Sequence, residues 1–287
     1  MGYIIAVNWD VDRVWYPGIS SSYCAGQNPQ DPEPHLKRFL KGGLFTEDDV
    51  TKWAEYAGKD TSDPIQSVGD LADCLTALYH DIKNPDGKRV LEKSQTVEAK
   101  QSLLRGMTME QVRDIADGVE LTPGLQKAIE EFNKSGVRQV AFSDGFGPFV
   151  SYVARREGMG YWGVVPAIVK ADGKETIFTN EMIDSDVVMT GKAEPYIKAD
   201  AFFALSERRG YKPSDLAAID DSETNIPTLK RIQEGGGVAI GFNPSESGAP
   251  KFRQAGIPIL QQEERTLEPF IEIVLDPTDA TIGKYCL

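Results

Sequence analysis

Two carboxylates one residue apart, Asp10 and Asp12, close an apolar, β-prone run that begins at Tyr3. Like charges this close repel unless a cation or a shared proton offsets them. At the end of a buried strand, the pair suits a Mg²⁺ site in which one carboxylate is a nucleophile. The other reading is a strand followed by an acidic turn, where aspartate is common. A second acidic pair, Asp220-Asp221, ends the apolar run Leu216-Ala217-Ala218-Ile219 and leads into Ser222-Glu223-Thr224-Asn225. Ser143 follows a third run, Val137-Arg138-Gln139-Val140-Ala141-Phe142, and opens the turn Ser143-Asp144-Gly145-Phe146-Gly147. Taken alone, Ser143 reads as a helix N-cap. Lys192 and Lys198 taken alone read as solvated surface residues.

These groups can meet only if the intervening chain folds back repeatedly. From Met107 onward, strands and helices alternate. The pattern predicts helices over 125–134, 149–157, 195–209, 226–233 and 249–254. It predicts strands over 137–142, 216–219, 238–241 and 257–260, with further strands over 161–169 and 175–178 that could form a hairpin. Such alternation implies an α/β fold, a doubly wound parallel sheet with helices on both faces. Ligands of open parallel sheets bind at the carboxyl ends of the strands, where Asp10 and the other acids would stand. Residues 16–112 differ. A polar stretch over 20–34 reads as a long loop, and helical spacing follows in Leu36, Phe39 and Leu40, then Val50, Trp53, Ala54 and Ala57, then Val68, Leu71, Ala72, Leu75, Leu78 and Tyr79. About 95 residues exceed an ordinary connection, so this segment is expected to be an inserted, mostly helical domain. The α/β core would then comprise 1–15 and 113–287.

Composition narrows the function. A net charge of −13 argues against nucleic acid and against an anionic membrane surface as partners. There is no run of about 18 apolar residues that could span a bilayer. The three cysteines, Cys24, Cys74 and Cys286, are widely spaced, and the chain opens directly on its first strand; both features suggest a cytoplasmic protein. With only His35 and His80, hydrolytic chemistry would have to run on carboxylates rather than on a Ser-His-Asp triad. The first strand is not followed by the G-x-G-x-x-G run of a dinucleotide-binding protein.

Asp10-Val11-Asp12-Arg13-Val14 resembles motif I of the haloacid dehalogenase superfamily, Asp-x-Asp-x-Thr/Val after a hydrophobic strand. Ser143 resembles motif II. Asp220-Asp221 resembles the acidic motif IV, with Asn225 standing where one form of that motif has a second acid. The adjacent-acid form would make Asp220 the ligand and the spaced form Asp221. Lys198, 23 residues before Asp221, resembles the motif III lysine of the phosphoserine-phosphatase branch, with Lys192 a second candidate. The resemblance covers residues 3–15 and about 107–245, and the insertion after motif I takes the place of a C1 cap.

The resemblance implies a phosphatase acting on a small phosphorylated metabolite. Asp10 would attack phosphorus and form an aspartyl-phosphate, and Asp12 would act as acid and then base. Mg²⁺ would be held by Asp10, the Asp12 backbone carbonyl and Asp221. Ser143, Asp144, Gly145 and Lys198 would hold the phosphate. Two features depart from the pattern. Ile19 stands where phosphoserine phosphatases carry a cap glutamate for the substrate ammonium, which points to another substrate, and Arg13 replaces a small residue. Trp15, Tyr16, Trp53 and Tyr56 could line a specificity pocket or form cap core. A non-catalytic phosphate- or metabolite-binding protein on the same fold is the alternative to the enzyme.

Overall fold

A computed structural model describes residues 3–27, 30–80, 93–104, 107–143, 145–159, 162–164 and 197–287. Strand β1 (Ala6–Trp9) is buried along its whole length and occupies the middle of the sheet. It pairs in parallel with β2 (Arg138–Ser143) on one side and with β4 (Leu216–Asp220) on the other. Beyond them lie β3 (Trp162–Val164), β5 (Val238–Phe242) and β6 (Ile259–Leu260), giving the order β3-β2-β1-β4-β5-β6 among the described residues. Every pairing is parallel. The strand order reverses between β1 and β4, the switch point at which open parallel sheets take their ligands.

Side-chain alternation divides the core between the two faces. Val7, Trp9, Ala141, Ala217, Ile219, Ile240 and Phe242 join one apolar cluster, while Ala6, Val140, Phe142, Leu216, Ala218 and Ala239 join the other. Both faces are therefore apolar and both are covered, as a parallel sheet requires.

Between β1 and β2 the described residues form the helices α1 (Ser20–Gly26), α2 (Glu33–Lys41), α3 (Glu47–Tyr56), α4 (Val68–His80), α5 (Lys93–Ser102), α6 (Met109–Asp117) and α7 (Leu125–Lys134). Helices α3 and α6 each begin with a capping box, from Thr46 with Asp49 and from Thr108 with Gln111. The helix α1 corrects the expectation of a loop over 20–34. Its polar residues Ser20 and Ser21 are buried, so the composition that suggested a loop serves contacts inside the protein. Helix α1 also packs closely on α4: a Cβ at Gly69 would lie 2.9 Å from the Gly26 Cα.

After β2 come α8 (Gly147–Arg156), α9 (Ile197–Arg208), α10 (Ile226–Glu234) and α11 (Ala249–Gln254). The predicted strand over 161–169 survives as β3, which runs parallel to β2; the rest of the suggested hairpin lies outside the described residues. Two C-terminal helices, α12 (Glu268–Leu275) and α13 (Asp279–Tyr285), had no clear strand-helix signal. Helix α12 docks Phe270 edge-on against Trp9 at 5.2 Å, beneath the first strand. Burying a side chain of this kind contributes roughly 1.5–3 kcal/mol. No helix among the described residues is long and apolar enough to cross a membrane.

Candidate active site

Because Trp9 is in register with Ile219, the residues that follow them, Asp10 and Asp220, come side by side at the carboxyl edge of the sheet. The Asp10 amide donates to the Ile219 carbonyl at 3.1 Å, which continues the ladder by one step. Asp10, Asp220 and Asp221 bring carboxylate oxygens within 4.8 Å of one another. All three are shielded from solvent, and the Asp221 side chain is only 9% exposed. Burial, then the charges of Asp10 and Asp220, hold the Asp221 carboxyl well above the usual carboxylate range, with Arg13 opposing. Three such groups are costly together unless a cation neutralises them. An all-oxygen donor set of this kind fits a hard divalent cation.

Asp220 is oriented by its own motif. Its Oδ1 accepts from the Ser222 amide at 2.9 Å and from the Asn225 side-chain amide at 3.1 Å. Both members of the acidic pair thus reach the cluster, and Asn225 supports Asp220 as a neutral donor.

The Asp12 carboxylate is not part of this cluster. It is held by three donors: the Tyr16 hydroxyl at 2.6 Å, the Ser20 amide at 3.0 Å and the Ser20 hydroxyl at 3.1 Å. Burial first, then the nearby Asp12, push the Tyr16 phenol well above its usual range, so it remains a proton donor. Ser20 Oγ in turn accepts the Phe146 amide at 2.7 Å. One hydroxyl therefore joins the strand-end acid to the turn after β2.

Ser143 ends β2, and its Oγ accepts the Gly145 amide at 3.0 Å. Gly145 cannot carry a side chain: a Cβ would stand 2.6 Å from Ser20 Oγ and 2.8 Å from Asp12 Oδ2. Helix α8 starts directly after this turn, so the positive end of its dipole lies by the site. Asp144 and Lys192 lie outside the described residues. Lys198 lies in the first turn of α9, but its side chain also falls outside the described residues.

Tyr16, Ser20 and Phe146 are the contributors that sequence spacing did not single out for this role. Of the aromatic residues considered for a pocket, Trp15 and Trp53 are core, while Tyr56 is 67% exposed. Tyr16 is fully buried but bonded to Asp12.

A family model described as haloacid dehalogenase-like hydrolase matches residues 70–233, more than half of the chain. The chain belongs to the haloacid dehalogenase-like hydrolases. It is 22% identical over 157 residues to a phosphoserine phosphatase of Archaeoglobus fulgidus, a stretch that makes up 53% of this chain and 40% of that relative. The matched stretch is thus less than half the length of that curated relative. The fold is similar to that of a substrate-bound phosphoserine phosphatase complex, with a TM-score of 0.61 and 16% identity, covering 96% of this chain and 100% of the other. It is similar also to a phospho-aspartyl intermediate analogue of phosphoserine phosphatase, with a TM-score of 0.60 and 16% identity over 95% and 100% of the two chains.

Proposed function

We propose that this hydrolase is a Mg²⁺-dependent phosphomonoesterase that acts on a small phosphorylated metabolite through an aspartyl-phosphate. The observation that carries this reading is the convergence of Asp10, Asp220 and Asp221 beside a separately held Asp12. The cation would be held by Asp10, Asp221 and the Asp12 backbone carbonyl, with Asp220 alongside; when bound, it supplies neutralising charge for the phosphoryl oxygens. Asp10 attacks phosphorus, and the ester bond breaks as Asp12 gives its proton to the leaving oxygen. Asp12 then takes a proton from water, whose oxygen attacks the phosphorus of the aspartyl-phosphate. Inorganic phosphate leaves and the Asp10 carboxylate is restored. Tyr16 and Ser20 keep Asp12 aimed through both steps. Ser143, the Asp144-Gly145 backbone and Lys198 hold the equatorial oxygens. Residues 1–15 and 113–287 form the core in this reading, and 16–112 form the cap.

The test is hydrolysis of p-nitrophenyl phosphate with and without Mg²⁺, beside Asp10→Asn. Mg²⁺-dependent release of nitrophenol that disappears in the variant is expected. Equal activity in the variant would remove the Asp10 mechanism, and no activity in the wild type together with no binding of tungstate or Mg²⁺ would remove the phosphomonoesterase reading.

A further inference from the structure

Arg13 directly follows Asp12 and has φ +63°, a left-handed conformation that non-glycine residues seldom adopt. It is held there from both sides. Its amide donates to the Gly18 carbonyl at 2.9 Å, and its carbonyl accepts from the Arg265 guanidinium. The guanidinium of Arg13 lies with Nη1 3.9 Å from Asp221 Oδ2, and its side chain is one-third exposed. Arg265 arrives from the segment after β6, a loop fixed by the Gln262 amide on Asn243 Oδ1 at 2.7 Å and by the Thr266 amide on Gln262 Oε1 at 2.9 Å. It sits over the Phe242 ring at 5.0 Å. Its Nε is buried without a hydrogen-bond partner among the described residues.

Two like charges are thus gathered at the edge of the site. Among the described residues, Arg13 has Asp221 as its carboxylate partner and Arg265 has none within salt-bridge distance. Asp221 is itself committed to the acidic cluster. Once a cation claims that carboxylate, the guanidiniums are left short of negative charge. Planar guanidinium forks match carboxylate and phosphate oxygens.

We propose that Arg13 and Arg265 form a second anion subsite, which selects phosphomonoesters carrying a further carboxylate or phosphate near the scissile ester. This deepens the phosphomonoesterase reading and rests on it for the position of the first phosphate. The subsite acts on specificity, through an anion that is not transferred.

Matched substrate pairs test it. Glycerol 3-phosphate and 3-phosphoglycerate differ by a carboxylate; fructose 6-phosphate and fructose 1,6-bisphosphate differ by a phosphate. The wild type is expected to favour at least one charged member by about tenfold in kcat/KM, the scale of a charge-assisted hydrogen bond. In Arg13→Asn, whose side chain tolerates a positive φ, the ratio should fall towards one. Any common effect on the metal or the chemistry cancels in the ratio. A wild-type ratio near one for both pairs, or a ratio unchanged in the variant, overturns the subsite. Which pair shows the preference identifies the second anion. Calorimetric binding of methylphosphonate, phosphonoacetate and methylenebisphosphonate with Mg²⁺ needs no turnover. If no ester is hydrolysed but either doubly anionic ligand is favoured and the preference is lost in Arg13→Asn, the subsite stands and the esterase reading falls. Hydrolysis without preference has the opposite meaning, and absence of both removes both.

Discussion

The Tyr16 hydroxyl donates to the Asp12 carboxylate at 2.6 Å, from inside the apolar core. A phenol that stays protonated and cannot swing into solvent is a fixed rest for the acid. Removing it in Tyr16→Phe leaves only the two Ser20 donors. The expected result is a fall in kcat of about tenfold with KM little changed, a fraction of what general acid–base catalysis supplies. Steady-state kinetics on p-nitrophenyl phosphate checks it; an unchanged kcat would deny Tyr16 this positioning role.

Gly145 bears on the same acid from the opposite side. Gly145→Ala would press a methyl group against Ser20 Oγ and Asp12 Oδ2. A displacement of the acid by about 1 Å is expected to cost roughly a hundredfold in turnover. Thermal unfolding should show a folded protein, so the loss would be local; wild-type turnover in a folded variant would refute the packing argument.

Asn225 is predicted to act on metal affinity. Its amide donates to Asp220 Oδ1 at 3.1 Å inside the protein. Asn225→Ala removes one of the two donors that orient Asp220 Oδ1 and leaves the Ser222 amide to hold it. Mg²⁺ affinity, measured by calorimetry, should fall about ten- to a hundredfold, as for other groups that orient a ligand. Equal affinity would place Asp220 outside the binding set.

Asp70 provides a pH-dependent contribution to stability away from the site. Burial raises its pKa, but the Lys59 ammonium, the Ser67 hydroxyl and the Gln66 amide outweigh that and hold it below the usual carboxylate value. A depressed folded pKa means stability that is present above the unfolded pKa and lost as pH falls through the folded one. Asp70→Asn should therefore destabilise the protein at neutral pH by about 1 kcal/mol, the scale of a helix cap, since Asp70 also braces the start of α4. The gap between the two proteins should close in acid, as pH falls through the depressed folded pKa and the carboxylate is protonated. Urea titrations at both pH values measure it; a gap of the same size at low pH would contradict the assignment.

Strand ends carrying acids were legible in the sequence, because a parallel strand buried on both faces is a short apolar run whose stop is visible. Asp10, Ser143 and the Asp220-Asp221 pair were located that way, as was the doubly wound order of elements. Helix α1 was not legible, because its buried serines have the composition of a loop. Helix α12 was not identified either, because a short helix that is apolar on most sides has no clear period to read. Sequence alone thus determined which residues stand at the carboxyl edge of the sheet, Asp10 and Asp220 among them. Only the tertiary structure decided how those groups are held: Ser20 meets Phe146 across 126 positions of chain, and Arg265 meets Arg13 across 252. Such contacts leave no local periodicity, since they arise from where the sheet and its crossings bring distant loops together.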